Sequence, residues 1–262
     1  MNKKHLIAAF ALLALLAGAC KSEYDAILES PDQDAKYKAA FEYFYDGKYQ
    51  KAAQLFESLA MITSGTERDD TVQYFWGLSN YKLKDYPTAE ANFFHFIQNY
   101  PRSTFSEIAQ FLRVDCLYRA TLRYELDQTP TRNTIASINE YLELNPRTDK
   151  RDICNKMLAD LNERLDRKAF EDARIYYKME DYKAARVALR NVLKEDSENS
   201  HREEILYLTA MSSYKYAQLS VTAKQKERFL VFIDDYYNFV GEYPESQYRK
   251  ELDSLYRKVK SK

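Results

Sequence analysis

Apolar residues return every three or four positions through most of the chain, the period of helices that each bury one stripe. From Asp152 to Glu180, Ile153, Met157, Leu161, Leu165, Ala169, Ala173 and Tyr176 keep this step with no intervening Gly or Pro. They predict one helix of roughly 45 Å at about 1.5 Å per residue, the alternative being a break near Asp166. Phe111, Val114, Leu117, Tyr118 and Leu122 mark an earlier helix, and Leu252, Leu255, Tyr256 and Val259 a final one. Polar, turn-forming stretches punctuate the pattern. Ser30-Pro31-Asp32-Gln33 reads as a capping box with Ser30 as the cap, opening a helix that Gly47 ends. Ser103 or Thr104 is placed to cap another helix, and Asp127 to Asn133 reads as a polar connection before a helix that ends at Asn145-Pro146. Lys21 to Glu29 carries no helical period and reads as a polar tether.

The segment from Gln73 to Ser103 resembles a tetratricopeptide hairpin, with Gly77 in its first helix, Ala89 and Phe93 in its second and Pro101 closing it. Gly77 and Ala89 lack bulk where two antiparallel helices approach, while Tyr81, Tyr86 and Phe93 supply apolar area between them. Asp85 is placed to cap the second helix, with Pro87 in its first turn. Ala40, Gly47, Tyr49, Ala52 and Phe56 repeat the pattern upstream. Ala52 to Ala89 and Phe56 to Phe93 are both separated by 37 residues, against a usual repeat of about 34, and the surplus falls in the turn-rich Thr63–Asp70 connection. The signature returns at Tyr176, Tyr177, Tyr182, Ala185, Leu189 and Val192, and a last hairpin spans Ile205 to Gly241 with a connection near Ser220. One hairpin cannot bury its own apolar face, and stacked neighbours can. The chain is therefore expected to be all-α, an α-solenoid of about five tetratricopeptide-like hairpins with a C-terminal capping helix. The expected organisation is 30–146 for the N-terminal units and 147–262 for the C-terminal units and cap.

Composition agrees: only 5 Gly and 6 Pro with 30% charged residues suit helices and leave little for turn-rich β folds. Lys plus Arg number 39 against 40 for Asp plus Glu, so no basic surplus points to nucleic acid. At the amino terminus, Lys3, Lys4 and His5 precede an unbroken apolar run from Leu6 to Ala19. The run falls short of the about 20 residues that span a bilayer, so residues 1–19 read as a cleavable signal. Its end, Leu16-Ala17-Gly18-Ala19-Cys20, resembles a bacterial lipoprotein signal, with Cys20 receiving the lipid and 20–29 forming a lipidated tether. An ordinary signal with an incidental Cys is the alternative. Removing Lys3 and Lys4 takes the formal charge from −1 to −3. Cys116 and Cys154 fall within helical patterns and read as buried thiols.

No catalytic constellation is present. His95 and His201 stand away from other ligand types, Gly47, Gly65, Gly77 and Gly241 are isolated, and acidic pairs such as Asp69-Asp70 or Asp234-Asp235 are adjacent and diverge on a helix. No enzyme activity, metal or cofactor is expected.

The lipid-attached Cys, five hairpins and Tyr-Pro-x-Ser followed by an aromatic (Tyr100-Pro101-Arg102-Ser103-Thr104-Phe105 and Tyr243-Pro244-Glu245-Ser246-Gln247-Tyr248) together resemble the BamD family, the lipoprotein component of the β-barrel assembly machinery in the Gram-negative outer membrane. The opening Gly47-Lys48-Tyr49-Gln50-Lys51-Ala52 is similar to that family's start. The resemblance implies a non-enzymatic outer-membrane lipoprotein, lipid-anchored on the periplasmic face. Its N-terminal units would receive unfolded outer-membrane protein precursors, and its C-terminal units would dock the POTRA domains of the barrel subunit. A repeat lipoprotein binding a glycan, or a cell-wall or cell-division partner, is the rival reading. Counting from Ala40 and Gly77 places Tyr37, Phe41, Phe44, Tyr74, Leu78 and Tyr81 on or near the concave face. That aromatic groove suits an extended peptide with alternating apolar residues and a terminal aromatic.

Overall fold

The computed structural model describes residues 23–261. Among these the chain forms twelve α-helices and no strand: α1 (Glu23–Glu29), α2 (Gln33–Tyr45), α3 (Tyr49–Ala60), α4 (Asp69–Lys82), α5 (Tyr86–Asn99), α6 (Ser106–Arg119), α7 (Thr129–Leu144), α8 (Arg151–Lys178), α9 (Tyr182–Glu195), α10 (Arg202–Gln218), α11 (Thr222–Glu242) and α12 (Arg249–Lys260). None is long and apolar enough to cross a membrane. The signal expected at 1–19 and the lipidation expected at Cys20 fall outside the described residues.

The chain divides into two compact units. In the first, residues up to Thr121 with Ala136–Lys150, every helix from α2 to α6 packs against the next, and α1 lies on α2 and α3. In the second, Leu122–Ile135 with Arg151 onward, α8 to α12 follow the same succession, and α10 also meets α8 and α12. Each is a stack of antiparallel hairpins, the α-solenoid expected of the pattern.

The core positions are those the repeat marks. Ala52, Phe56, Ala89, Phe93, Ala185 and Leu189 are fully buried. Gly77 sits against Phe93, whose ring lies 3.0 Å from where a Cβ would be placed, so the absence of a side chain is what lets α4 and α5 close. Asp85 accepts a hydrogen bond from the Thr88 N–H and caps α5, with Pro87 in the first turn. α8 runs unbroken through Asp166, whose carboxylate instead accepts from the Ser200 N–H at 2.9 Å.

Element ends differ from expectation in five places. Asp32 rather than Ser30 caps α2, its Oδ1 accepting from Asp34 N and Ala35 N, while Ser30 Oγ accepts from Asp32 N. The helix α6 begins at Ser106 with no side-chain cap, because Ser103 is used in the turn before it. It ends at Arg119, which leaves Leu122 exposed in the connection. The helix α7 starts inside the stretch read as a connection, since Asp127 Oδ1 accepts from both the N–H and the hydroxyl of Thr129 and Pro130 suits a first turn. The stretch read as a tether forms α1: Glu23 and Asp25 complement the helix dipole, and the buried Tyr24 with Ile27 and Leu28 joins the core of the first hairpin. Four apolar residues in seven, three of them consecutive, were too few to show a period.

Candidate functional site

Five junctions between hairpins share one construction. At Thr66, Ser103, Thr148, Asn199 and Ser246 the side-chain oxygen accepts the N–H two residues on, at 3.0 to 3.4 Å. That turn aims residue i+2 at an aromatic ring on the first helix of the preceding hairpin. Phe105 stacks on Tyr74 (4.4 Å between centroids, 6° between planes), His201 on Phe170 (4.9 Å, 15°) and Tyr248 on Tyr207 (4.1 Å, 12°). The Arg68 guanidinium lies 4.8 Å over Tyr37 and the Lys150 ammonium 5.9 Å over Phe111. Ring pairs of this kind contribute about 0.5–1.5 kcal/mol beyond area burial. This is the physical content of Tyr-Pro-x-Ser followed by an aromatic: the Ser shapes the turn, and the aromatic staples one hairpin to the one before. The Tyr of the motif closes on its own helix, Tyr100 on Phe96 and Tyr243 on Phe239.

Tyr37 and Tyr74 are therefore equivalent seats in the joints, and the rest of the predicted aromatic stripe is drawn into the same packing. Tyr74 is 7% exposed and Phe44 9%, so neither offers a ring to a ligand. Phe44 meets Phe75 and Tyr49. Phe41 wedges between Phe56 of α3 and Phe75 of α4, at 5.1 and 4.7 Å, and Leu78 packs against the cores on both sides of α4. Tyr81 gives its hydroxyl to Asp115 Oδ2 at 2.6 Å, its ring lying beside Tyr86. Burial, and then the Asp115 carboxylate, push its pKa up to about 12. The same carboxylate holds Arg119, which spreads over Tyr86, and the Arg119 pKa is raised in consequence. Phe44 and Tyr74 are buried and Tyr37, Phe41, Leu78 and Tyr81 half-buried, because the first helix of each hairpin also faces its successor, an area a period count cannot tell from an open groove.

The first joint stands beside an open depression. Tyr37 is half-buried, its cover is a guanidinium rather than a stacked ring, and Arg68 Nη1 donates to Asp34 Oδ1 with both side chains at least half exposed. The depression, of about 320 Å³, is lined by Gln33, Tyr37, Leu59, Thr63, Thr66, Glu67 and Arg68. It presents one accessible ring, the amide of Gln33, a cation and the Glu67 carboxylate, a set that can hold the aromatic end of a peptide. Arg68 was absent from the residues singled out in the sequence, though a signal for it exists: Thr66 and Arg68 stand 37 residues before Ser103 and Phe105, the repeat spacing.

Cys116 and Cys154 are buried free thiols, as expected, and burial pushes the Cys116 thiol up to about 12. Among the described residues no group of three His, Cys, Asp or Glu is gathered so as to hold a metal ion.

A family model named YfiO and described as outer membrane lipoprotein matches residues 29–198. No curated relative matches the chain. Similar solved structures include a thermophilic TPR protein of Thermus thermophilus, 15% identical over 87% of this chain and 98% of that one with a TM-score of 0.35. Another is a TPR repeats protein of Bacteroides fragilis, 15% identical over 88% and 99% with a TM-score of 0.42. Both overlays are too loose to bear on function.

Proposed function

The chain belongs to the YfiO family of outer membrane lipoproteins, and from that premise we propose that it is a non-enzymatic scaffold of the β-barrel assembly machinery. In this reading Cys20 carries the lipid that holds the protein on the periplasmic face of the outer membrane. The N-terminal hairpins receive the carboxy-terminal segment of unfolded barrel precursors, and the C-terminal hairpins dock the POTRA domains of the barrel subunit. The family match over residues 29–198 is the observation that carries the reading. The joint at Tyr37 supports the place of peptide contact, since its ring is covered by an exposed guanidinium beside an open depression, where Tyr74 carries the stacked ring of Phe105.

Purification of the lipidated chain from detergent-extracted membranes tests the assignment. A large outer-membrane barrel protein with periplasmic POTRA domains is expected to accompany it, and its absence would exclude the assembly role. The peptide site is tested by titrating a labelled peptide ending in an apolar-alternating, aromatic-terminated sequence. Removing one desolvated anchor costs about 2 kcal/mol, roughly thirtyfold in affinity, so Tyr37→Ala should weaken binding by that order while Phe94→Ala, an exposed ring on α5, leaves it unchanged.

A further inference from the structure

The amino end of α1 lies at the turn end of the first hairpin. Tyr24 is buried there: its hydroxyl donates to Gln54 Oε1 at 2.6 Å, its ring meets Tyr43 edge-on at 5.4 Å, and the Lys51 ammonium sits 4.9 Å over it. Lys51 also lies 5.2 Å over Tyr43, and Lys48, from the α2–α3 turn, 5.5 Å over the same ring. Tyr24 thus clamps α1 to the place where α2 ends and α3 begins.

Chain length then restricts where the anchor can be. From Cys20 to Glu23 there are three residue steps, which reach at most about 11 Å when fully extended. A lipid on Cys20 therefore keeps this end of the hairpin within about 11 Å of the head groups. At the same end Tyr45 is 74% exposed, an unusual position for a large ring, with its ring centroid 6.2 Å from that of Phe41 and 5.6 Å from that of Phe44. Tyr is the residue that settles at a membrane–water boundary, because its ring is apolar and its tip is wet.

We propose that the turn end of the α2–α3 hairpin, with Tyr45, Lys48 and Lys51, rests in the head-group layer of the phospholipid bilayer that holds the anchor. The inference depends on the lipid-anchor reading of Cys20. The charges at this end are balanced: Asp46 pairs with Lys48 at 3.0 Å, and Glu23 and Asp25 lie on the first turn of α1. Proximity and the aromatic ring hold the contact, so it should persist at high salt.

The test uses the full lipidated chain in vesicles of phosphatidylethanolamine and phosphatidylglycerol carrying a lipid quencher placed just below the head groups. A fluorescent reporter is introduced by Tyr45→Trp or by Met61→Trp, each with Trp76→Phe. Met61 is equally exposed, at 75%, and stands at the far end of the 12-residue α3. Quenching of the Tyr45 reporter is expected to exceed that of the Met61 reporter at least about twofold, because the two ends of α3 are about 18 Å apart. Adding Tyr24→Ala should abolish the difference, since freeing α1 lengthens the leash, while the chain still sediments with the vesicles. Nitroxide labels on Tyr45→Cys and Met61→Cys give the same comparison with Trp76 intact, the native Cys116 and Cys154 being buried. Sedimentation with equal quenching at the two positions would overturn the proposal and leave the anchor standing. A chain that fails to sediment would overturn the anchor reading and this proposal together.

Discussion

Gly77 is the residue on which the second hairpin closes. A Cβ there would stand 3.0 Å from Phe93 Cε1 and 3.2 Å from Asn92 Cβ, and Phe93 is fully buried with nowhere to retreat. Replacing Gly by Ala within a helix gains about 1 kcal/mol of propensity, whereas overpacking a closed core costs about 1–3 kcal/mol. Gly77→Ala is therefore expected to lower stability by about 1 kcal/mol in urea denaturation, against the sign that propensity alone gives. This residue was legible in the sequence, as were Ala89, Phe93 and the cap at Asp85, because small and large residues at repeat positions have one meaning in a hairpin. The six aromatic and apolar residues of the expected groove were less so. Their spacing fixed a face of α2 and α4, but a face that meets the next hairpin and a face that meets a ligand carry the same residues, and only the ring contacts separate them.

At the scale of elements, three turns share one backbone. Gly47, Lys84 and Glu180 adopt φ of 74°, 65° and 61°. In each case the next residue's N–H reaches five residues back across the turn, Lys48 to Tyr43, Asp85 to Asn80 and Asp181 to Tyr176, beside a bond from the positive-φ residue itself to the carbonyl three residues back, of Phe44, Tyr81 or Tyr177. This is the Schellman ending of a helix. Glycine takes that conformation freely, while a side chain costs about 1 kcal/mol or more. Lys84→Gly and Glu180→Gly should each raise the unfolding midpoint, by about 1 kcal/mol of stability apiece. Loss of stability in either would mean that the exposed side chain has a partner that outweighs the backbone. The same level explains the misplaced helix ends. Ser30 and Ser103 were read as helix caps and Asp127 as part of a connection, but whether a hydroxyl or carboxylate caps a helix or shapes the turn before it depends on which N–H it reaches.

Across the whole molecule, both units bury phenols and a thiol in their neutral forms. Burial raises Tyr81 in the first unit and Tyr236 in the second to about 12, with Asp115 and Asp253 adding to it, and burial raises Cys116 from 9.0 to about 12. These groups hold their protons in the folded chain at pH values where the unfolded chain has released them. Their contribution is complete below about pH 9 and is lost as pH rises toward about 12, so thermal midpoints should fall steeply over that range. Tyr81→Phe should flatten part of the fall, and an unchanged slope would remove Tyr81 from the effect. The repeated joints have a temporal consequence as well. Each ring on a first helix waits for a residue 31 to 41 positions further along, Arg68 for Tyr37 at one extreme of spacing and Tyr248 for Tyr207 at the other. A chain delivered amino end first can thus complete one joint after another in the order of arrival, with each newcomer finding its seat already built and none of the early joints waiting on the carboxyl end.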